Sequence, residues 1–332
     1  MSSTEPLVSI IVPSFNQARF LEATLDSLLS QVYPRLDTLV IDGCSTDGSV
    51  EILRRYEARL SKWVSEPDTG QADAINKGLR MASGEIVAWL NSDDLYLPGA
   101  ISQAVLALQA HPEAVMVYGD GVLIDEESRL LDWHRYRHYE LLDLLSFDVL
   151  LQPTVFIRRS ALEKAGLLRQ DLHLILDHDL WIRLAAQGPL LHVPSYWAAE
   201  RTHPEAKTIA ASAEFAAEAR RLIEEAKASP VLGGIVAAHV ARVTAGLEAF
   251  SGRRLIDAGQ YAQALRHFAE ALRTDPRLAS RYWYKIVQAG MGAIGLEGVF
   301  LWYRRTRRRL QHGQTQLNIA DGSIHLDQVG RS

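Results

Sequence analysis

The chain has 332 residues, enough for about two domains and for a sizeable buried core. Its net charge of −5 at pH 7 argues against a general nucleic-acid binder, so no nucleic-acid partner is expected. A single cysteine, Cys44, excludes an intrachain disulfide framework, and no run of about 18 uninterrupted apolar residues offers a membrane-spanning helix.

The N-terminal apolar run has no basic leader and is broken by Pro13, which does not read as a secretory signal. Residues 7–12 (LVSIIV) form an all-apolar strand of the kind buried on both faces of a parallel sheet. Pro13 and Ser14 end it. Residues 17–31 carry Phe20, Leu21, Leu25, Leu28 and Leu29 on one side of a helix. Residues 36–41 (LDTLVI) form a second strand ending in Asp42-Gly43, and Ser45 to Asp47 supplies an N-cap for a helix over 50–60. A short strand at 62–65 follows. The stretch 70–94 (GQADAINKGLRMASGEIVAWLNSDD) predicts a helix with Ala72, Ile75, Leu79 and Ala82 on one face. Ser83-Gly84 stops that helix, and a strand over 85–90 runs into Asn91-Ser92-Asp93-Asp94.

This alternation of strands and helices through short links predicts βαβ units and a parallel sheet. Ligands of such sheets bind outside the carboxyl ends of the strands, where Pro13, Ser14, Asp42 and residues 91–94 fall. Neighbouring carboxylates there suit a hard divalent cation. A solvated Asp-rich turn is the other use of the same residues.

Pro98 suits the first turn of a helix reaching 110. A strand over 114–118, a turn at Gly119-Asp120-Gly121 and a hairpin of 122–124 with 130–136 come next. Residues 150–157 form a strand bent by Pro153, followed by helices over 159–165 and 177–187 and a strand over 190–193. Residues 201–207 form a polar loop, and 208–227 an alanine-rich helix. From Pro230 the pattern is helical. Residues 258–276 resemble one tetratricopeptide-type hairpin, a single copy being too few for a repeat array. Residues 286–303 are mostly apolar and precede Arg304, Arg305, Arg307, Arg308 and Arg309. Peripheral attachment to an anionic membrane surface through 286–309 and a packed terminal helix with a solvated end both fit this pattern. Residues 311–332 read as a loose tail.

Four segments in this order, VSIIVPSFNQARFLEATLDSLLSQ, LVIDGCSTDGS, GQADAINKG and GEIVAWLNSDD, resemble the N-terminal half of family 2 glycosyltransferases over about residues 7–210. The resemblance implies an α/β fold of GT-A type, a Rossmann-like mixed sheet flanked by helices, here with an all-α C-terminal extension. Residues 1–228 would form the GT-A domain (1–118 the nucleotide-binding half, 119–228 the acceptor half), 229–310 the helical region and 311–332 the tail.

It further implies an inverting transfer from a nucleotide-sugar donor, a UDP- or dTDP-sugar favoured, with Mg²⁺ or Mn²⁺. The acceptor would be a hydroxyl of a glycan, glycolipid or protein in cell-surface synthesis, and the location cytoplasmic, peripheral on the inner face of the membrane. Asp42 matches the family's base-recognising aspartate. Pro13 and Ser14 would line the base and ribose pocket, and Asp73, Asn76 and Lys77 fall where ribose and pyrophosphate are contacted. The D-x-D motif is Asn91-Ser92-Asp93 here, with a neutral amide in the first place. That leaves Asp93 as the metal ligand, with Asp94 beside it. His203 falls where a histidine approaches metal or diphosphate, with Arg201 and Lys207 as diphosphate partners. Asp177 matches the general base that deprotonates the acceptor, a helix N-cap being its other role. Asp179, two residues on, points elsewhere on the helix, Trp181 and Arg183 are expected to be structural, and Gln152-Pro153-Thr154 resembles the acceptor-side lining. Two other functions fit parts of the sequence. A nucleotidyltransferase would need a Gly-rich loop where PSFNQ stands, and a catalytically silent nucleotide-sugar-binding scaffold would explain Asn91.

Overall fold

The computed structural model describes residues 5–203, 214–312, 315–320 and 323–328. They fall into two compact units, one of Met1–His138, Leu150–Thr202 and Gln314–Ser332, the other of Tyr139–Val149 and His203–Gly313.

The first unit holds strands β1 (Val8–Ser14), β2 (Leu36–Asp42), β3 (Lys62–Ser65), β4 (Ile86–Trp89), β5 (Leu95–Tyr96), β6 (Met116–Ile124), β7 (Leu130–His134), β8 (Val155–Arg158) and β9 (Leu190–Arg201). They form one sheet in the order β3-β2-β1-β4-β8-β6-β9-β5, with β7 on β6. β1 to β4 are parallel, β8 is antiparallel to both its neighbours, and β6 and β9 run parallel, so the sheet is mixed. All seven residues of β1 are buried, which explains why its sequence does not alternate. The chain winds outward from β1 through β2 to β3 and returns on the other side of β1 as β4. Strand order therefore reverses between β1 and β4, and a ligand crevice belongs at their carboxyl ends.

The helices are α1 (Ala18–Leu29), α2 (Ser49–Tyr56), α3 (Gln71–Met81), α4 (Ala100–Ala110), α5 (Leu141–Leu145), α6 (Arg159–Ala165), α7 (Leu176–Ala185), α8 (Glu214–Ala228), α9 (Gly233–Ala238), α10 (Val240–Asp257), α11 (Tyr261–Thr274), α12 (Pro276–Ser280), α13 (Trp283–Ala293) and α14 (Glu297–His312). In the first unit Leu21, Leu25, Leu53 and Ile101 close over Val8, Ile10, Val12 and Val40 as one core. Pro98 precedes α4 rather than entering its first turn. Gly99, left-handed at φ 80°, is the N-cap.

Three sequence expectations change. Gly119-Asp120-Gly121 lies inside β6 and is not a turn. The pairing with β9 shifts register on either side of Asp120, where Pro194 and Ser195 bulge out of β9. A β-carbon on Gly119 would overlap the Trp197 ring and Ser195 O, so this glycine marks a close approach. β9 extends eight residues beyond the short strand expected at 190–193. The tail is not loose where it is described. Thr315–Ala320 (β10) and Ser323–Gln328 (β11) pair antiparallel within the first unit. Leu317 is buried with Leu95, Val122 and Leu130, and its N–H donates to Ser128 O at 2.9 Å. That buried leucine is an anchor which a tail without aromatic residues does not advertise. The compact units also divide at His138 and Thr202 rather than at 228, because α8 packs on α10 in the second unit.

In that second unit residues 258–276, expected to form a hairpin by themselves, supply the single helix α11, which pairs with α10 around Ala245, Ala249, Leu255 and Phe268. α10 also crosses the turn after α5, where Phe147 stacks on Phe250 with centroids 4.8 Å apart. A β-carbon on Gly246 would overlap the Ser146 carbonyl. Gly246→Ala should therefore cost about 1–3 kcal/mol, the scale of overpacking a rigid site. A guanidinium titration should show a lowered midpoint, whereas Gly234→Ala, with open space around it, should not.

Candidate active site

The carboxyl ends of β1 and β2 are laced together by short polar side chains. Ser14 and Asp42 are register partners. Asn16, left-handed at φ 52°, accepts from Thr46 N at 2.9 Å, and its own N–H donates to Ser45 Oγ at 2.8 Å. Asp47 accepts from Ala18 N (2.8 Å), Ser49 N (3.0 Å) and Ser49 Oγ (2.7 Å). It thereby caps the start of α1 across space as well as that of α2.

Burial raises the Asp47 pKa, but the Ser49 hydroxyl and the Ala18 and Ser49 N–H groups outweigh it, leaving it below the ordinary value. A depressed carboxylate stabilises the fold above its unfolded pKa and loses that contribution as pH falls through the folded one. Asp47→Ala should cost about 1 kcal/mol at neutral pH, the scale of a lost cap. The difference in melting temperature from wild type should shrink as pH falls below the ordinary carboxylate range.

Asp42 is fully buried. Its oxygens accept from Ser45 N (2.9 Å), Ser45 Oγ (2.5 Å) and Ser65 Oγ (2.7 Å). Asp42 is the residue expected to meet a base. With no exposed surface and three donors already bound, it braces the loop. The carboxylate beside the crevice is that of Asp68, in the turn after β3. A β-carbon built on Gly43 would lie 2.5 Å from Asp68 Oδ2 and 3.2 Å from the Phe15 ring. Asp68 Oδ1 accepts from Gly70 N at 2.9 Å, and Phe15 is 59% exposed. Asp68 was absent from the sequence reading. The signal was a turn cluster, EPDTG, at the end of a strand, together with a glycine directly after Asp42. Pro13 is buried within β1. Ser14 is also buried, and its Oγ has no hydrogen-bond partner among the described residues.

Two α3 residues expected at the ribose and pyrophosphate serve the fold instead. Both amide groups of Asn76 clip the Leu168 backbone (2.8 and 2.9 Å), and the side chain is buried. Lys77 is held by Glu66 (3.0 Å), Asp73 (3.7 Å) and Pro67 O (2.8 Å), so its charge is already matched. Asp73 accepts from Thr69 N (3.2 Å) and Gln170 Nε2 (2.9 Å), tying the loop after α6 to the start of α3.

At the end of β4, Asn91 accepts from Gln71 Nε2 at 2.9 Å and donates to Asp94 Oδ2 at 3.1 Å. Ser92 is buried. Asp94 is buried as well, and its Oδ1 accepts from Arg201 N at 2.9 Å. Burial, then the charges of Asp93 and Glu200, push the Asp94 carboxyl well above the ordinary range, against the lowering by the Arg201 N–H and the Asn91 amide. Asp94 thus stitches the turn to β9. Arg201 is the residue expected at the diphosphate. It is buried, and its guanidinium donates to Asp93 O (2.9 Å), Asp125 O (2.9 Å) and Ser128 Oγ (3.0 Å). Lys207 lies outside the described residues. His203 is buried and belongs to the second unit. Among the described residues no group of three or more His, Cys, Asp or Glu is gathered as a metal cluster. Asp93, half-buried at the turn, is the remaining charged ligand. One carboxylate plus substrate phosphates is an ordinary Mg²⁺ environment, so the donor set fits a cation that arrives with a diphosphate.

The start of α7 is brought to the end of β4 by Trp181, which stacks on Trp89 with centroids 5.3 Å apart. Gln152 Nε2 donates to Trp89 O at 2.8 Å. Asp177 is half-buried in the first turn of α7, and its Oδ1 accepts from His178 N at 2.8 Å. The N-cap is Ile175, so Asp177 does not take the capping position. Asp179 is buried against Arg183 at 2.8 Å, and Arg183 also donates to the carbonyls of Ala165, Gly166 and Leu167. That pair fixes α7 to the end of α6.

Residues 9–166 match Glycosyl transferase family 2. An uncharacterized glycosyltransferase of Mycobacterium tuberculosis (strain CDC 1551 / Oshkosh) is 32% identical over 189 residues, 55% of this chain and 70% of that one. The chain belongs to glycosyltransferase family 2. Within the family, 97 residues (28% of this chain, 38% of the relative) are 42% identical to the putative teichuronic acid biosynthesis glycosyltransferase TuaG of Bacillus subtilis. The crystal structure of S. aureus TarS 1-349 in complex with UDP-GlcNAc has the same fold at 18% identity, with a TM-score of 0.60 over 97% of both chains. The fold is therefore GT-A-like, as the family resemblance implied. The chain spans about half the length of the first curated relatives it matches.

Proposed function

We propose that this chain transfers a sugar from a nucleoside diphosphate donor, a UDP- or dTDP-sugar, to a hydroxyl acceptor with inversion at the anomeric carbon. What supports this reading is a chain of contacts at the carboxyl ends of the strands: exposed Phe15 and Asp68 both lie against Gly43, Gly70 N donates to Asp68, neighbouring Gln71 donates to Asn91, and Trp181 of α7 stacks on Trp89 at the end of β4. Phe15 offers a flat apolar face to a base. Asp68 accepts from the imide N–H of a pyrimidine, and the Ser14 hydroxyl can serve the base or ribose. Asn91 meets the ribose through its neutral amide, and Asp93 would hold a divalent cation with the diphosphate. That cation, when bound, offsets the charge of the leaving diphosphate as a Lewis acid.

Asp177 takes the proton of the acceptor hydroxyl as its oxygen bonds to the anomeric carbon. The bond from that carbon to the diphosphate oxygen breaks, and its electron pair leaves with the nucleoside diphosphate. The likeness to TuaG supports a cell-surface polysaccharide as acceptor. A thermal-shift series with UDP-, dTDP- and GDP-sugars in Mn²⁺ tests the donor. A ligand present at 100 times its dissociation constant stabilises by about 2.7 kcal/mol. Stabilisation by the pyrimidine donors, with nucleoside diphosphate release, is expected. A preference for GDP-sugars, or no stabilisation by any donor, would overturn the reading.

A further inference from the structure

More than half of the exposed large hydrophobic side chains among the described residues lie on α13, α14 and their link. Trp283 and Trp302 are each 67% exposed, and Ile294 is 72% exposed. No described helix is long and apolar enough to cross a membrane. A cationic cluster joins these helices to the end of α10. Arg253, Arg254 and Arg304 all act on Lys285, with Asp257 as the one opposing carboxylate. Arg253 lies over the Tyr282 ring at 4.8 Å, and its Nε is buried with no hydrogen-bond partner among the described residues. Arg254 reaches Asp257 at 4.0 Å. Burial brings the Lys285 ammonium down to about 8, Asp257 working against the shift and the three arginines adding to it. These cationic groups lie beside exposed Trp283 and Tyr284, and Arg307, further along α14, is exposed as well.

We propose that this face of the second unit docks on an anionic lipid surface. The aromatic residues of α13 and α14 enter the boundary between headgroups and acyl chains, and Arg253, Arg254, Lys285 and Arg304 meet the lipid phosphates. Trp and Tyr suit that depth because each has an apolar ring and a polar edge. Along α14 the apolar residues 299–303 give way to arginines from 304 onward. A second copy related by a two-fold axis would set this cationic cluster against its own, which like-charge repulsion opposes. The proposal is independent of the transferase reading.

Flotation of the full chain with phosphatidylcholine vesicles, and with vesicles also containing phosphatidylglycerol, tests it. Binding to the second kind alone is expected, weakening as salt is raised. Arg304→Gln with Arg307→Gln should weaken that binding roughly 30-fold, from about 1 kcal/mol per surface cation at 1.4 kcal/mol per decade. Trp283→Ser with Trp302→Ser should abolish it, with the denaturation midpoint and nucleoside diphosphate release unchanged. Equal binding to neutral vesicles, no binding to either, or binding that survives both double variants would overturn the proposal. So would a dimer in gel filtration that the tryptophan variant dissolves, which would assign the face to a second copy. Loss of donor turnover in the wild type would count against the transferase reading and leave this one standing.

Discussion

Asp177→Asn should lower sugar transfer by about 10²–10⁴-fold, the range that positioned general acid–base groups contribute. Donor stabilisation in a thermal-shift assay should stay at the wild-type level. The two readouts separate because the proposed function has Asp177 meet the acceptor oxygen and the donor held from β1, β2 and β4. Asparagine keeps the shape of the side chain and still accepts from His178 N, as Asp177 does at 2.8 Å, but it cannot take a proton. Asp179→Asn is the contrasting variant. It loosens a buried ion pair that anchors α7 through Arg183, so it should lower the melting temperature first and activity only as a consequence. Transfer at the wild-type rate in Asp177→Asn would remove it from the base role. Equal loss of stability in both variants would mean that Asp177, too, mainly supports the helix.

The contrast between Asp177 and Asp179 also shows what the sequence carried and what it hid. Helical spacing places the two carboxylates in different directions, and the structure gives them different surroundings. The parallel half of the sheet was legible because β1, β2 and β4 are short apolar runs closed by turn residues, a pattern set by burial on both faces. β6 was not legible through 119–121, since Gly-Asp-Gly has turn chemistry and its glycines are explained only by the Trp197 ring against Gly119 and the Leu151 side chain against Gly121. Site residues were hidden for a related reason. Asn76, Lys77, Asp94 and Arg201 have the right chemistry at the right places in the chain. Their partners, however, are backbone groups or counter-charges that come from elsewhere in the sequence. A polar side chain whose hydrogen bonds are already filled has little left for a substrate, and that filling depends on the third dimension.

Asp68→Ala should weaken binding of a pyrimidine nucleotide donor by roughly 10–100-fold, because a hydrogen bond to a charged group contributes about 1.5–3 kcal/mol. Asp42→Asn should act differently. Its buried carboxylate holds Ser45 and Ser65, and an amide would turn a donor toward one of those hydroxyls or N–H groups. The expected result is a lower melting temperature with the donor preference retained. Because a β-carbon on Gly43 would come within 2.5 Å of Asp68 Oδ2, a carboxylate carried on position 43 would occupy nearly the same space. Gly43→Asp on its own should therefore weaken the donor site by crowding two like charges. Combined with Asp68→Gly it should recover part of the lost affinity, giving a positive coupling energy in a double-mutant cycle measured by isothermal titration. Additive losses in the double variant, or loss of binding in Asp42→Asn without loss of stability, would return the base-reading role to Asp42. Recovery would mean that the crevice requires a negative oxygen at one point in space and is indifferent to which strand end supplies it.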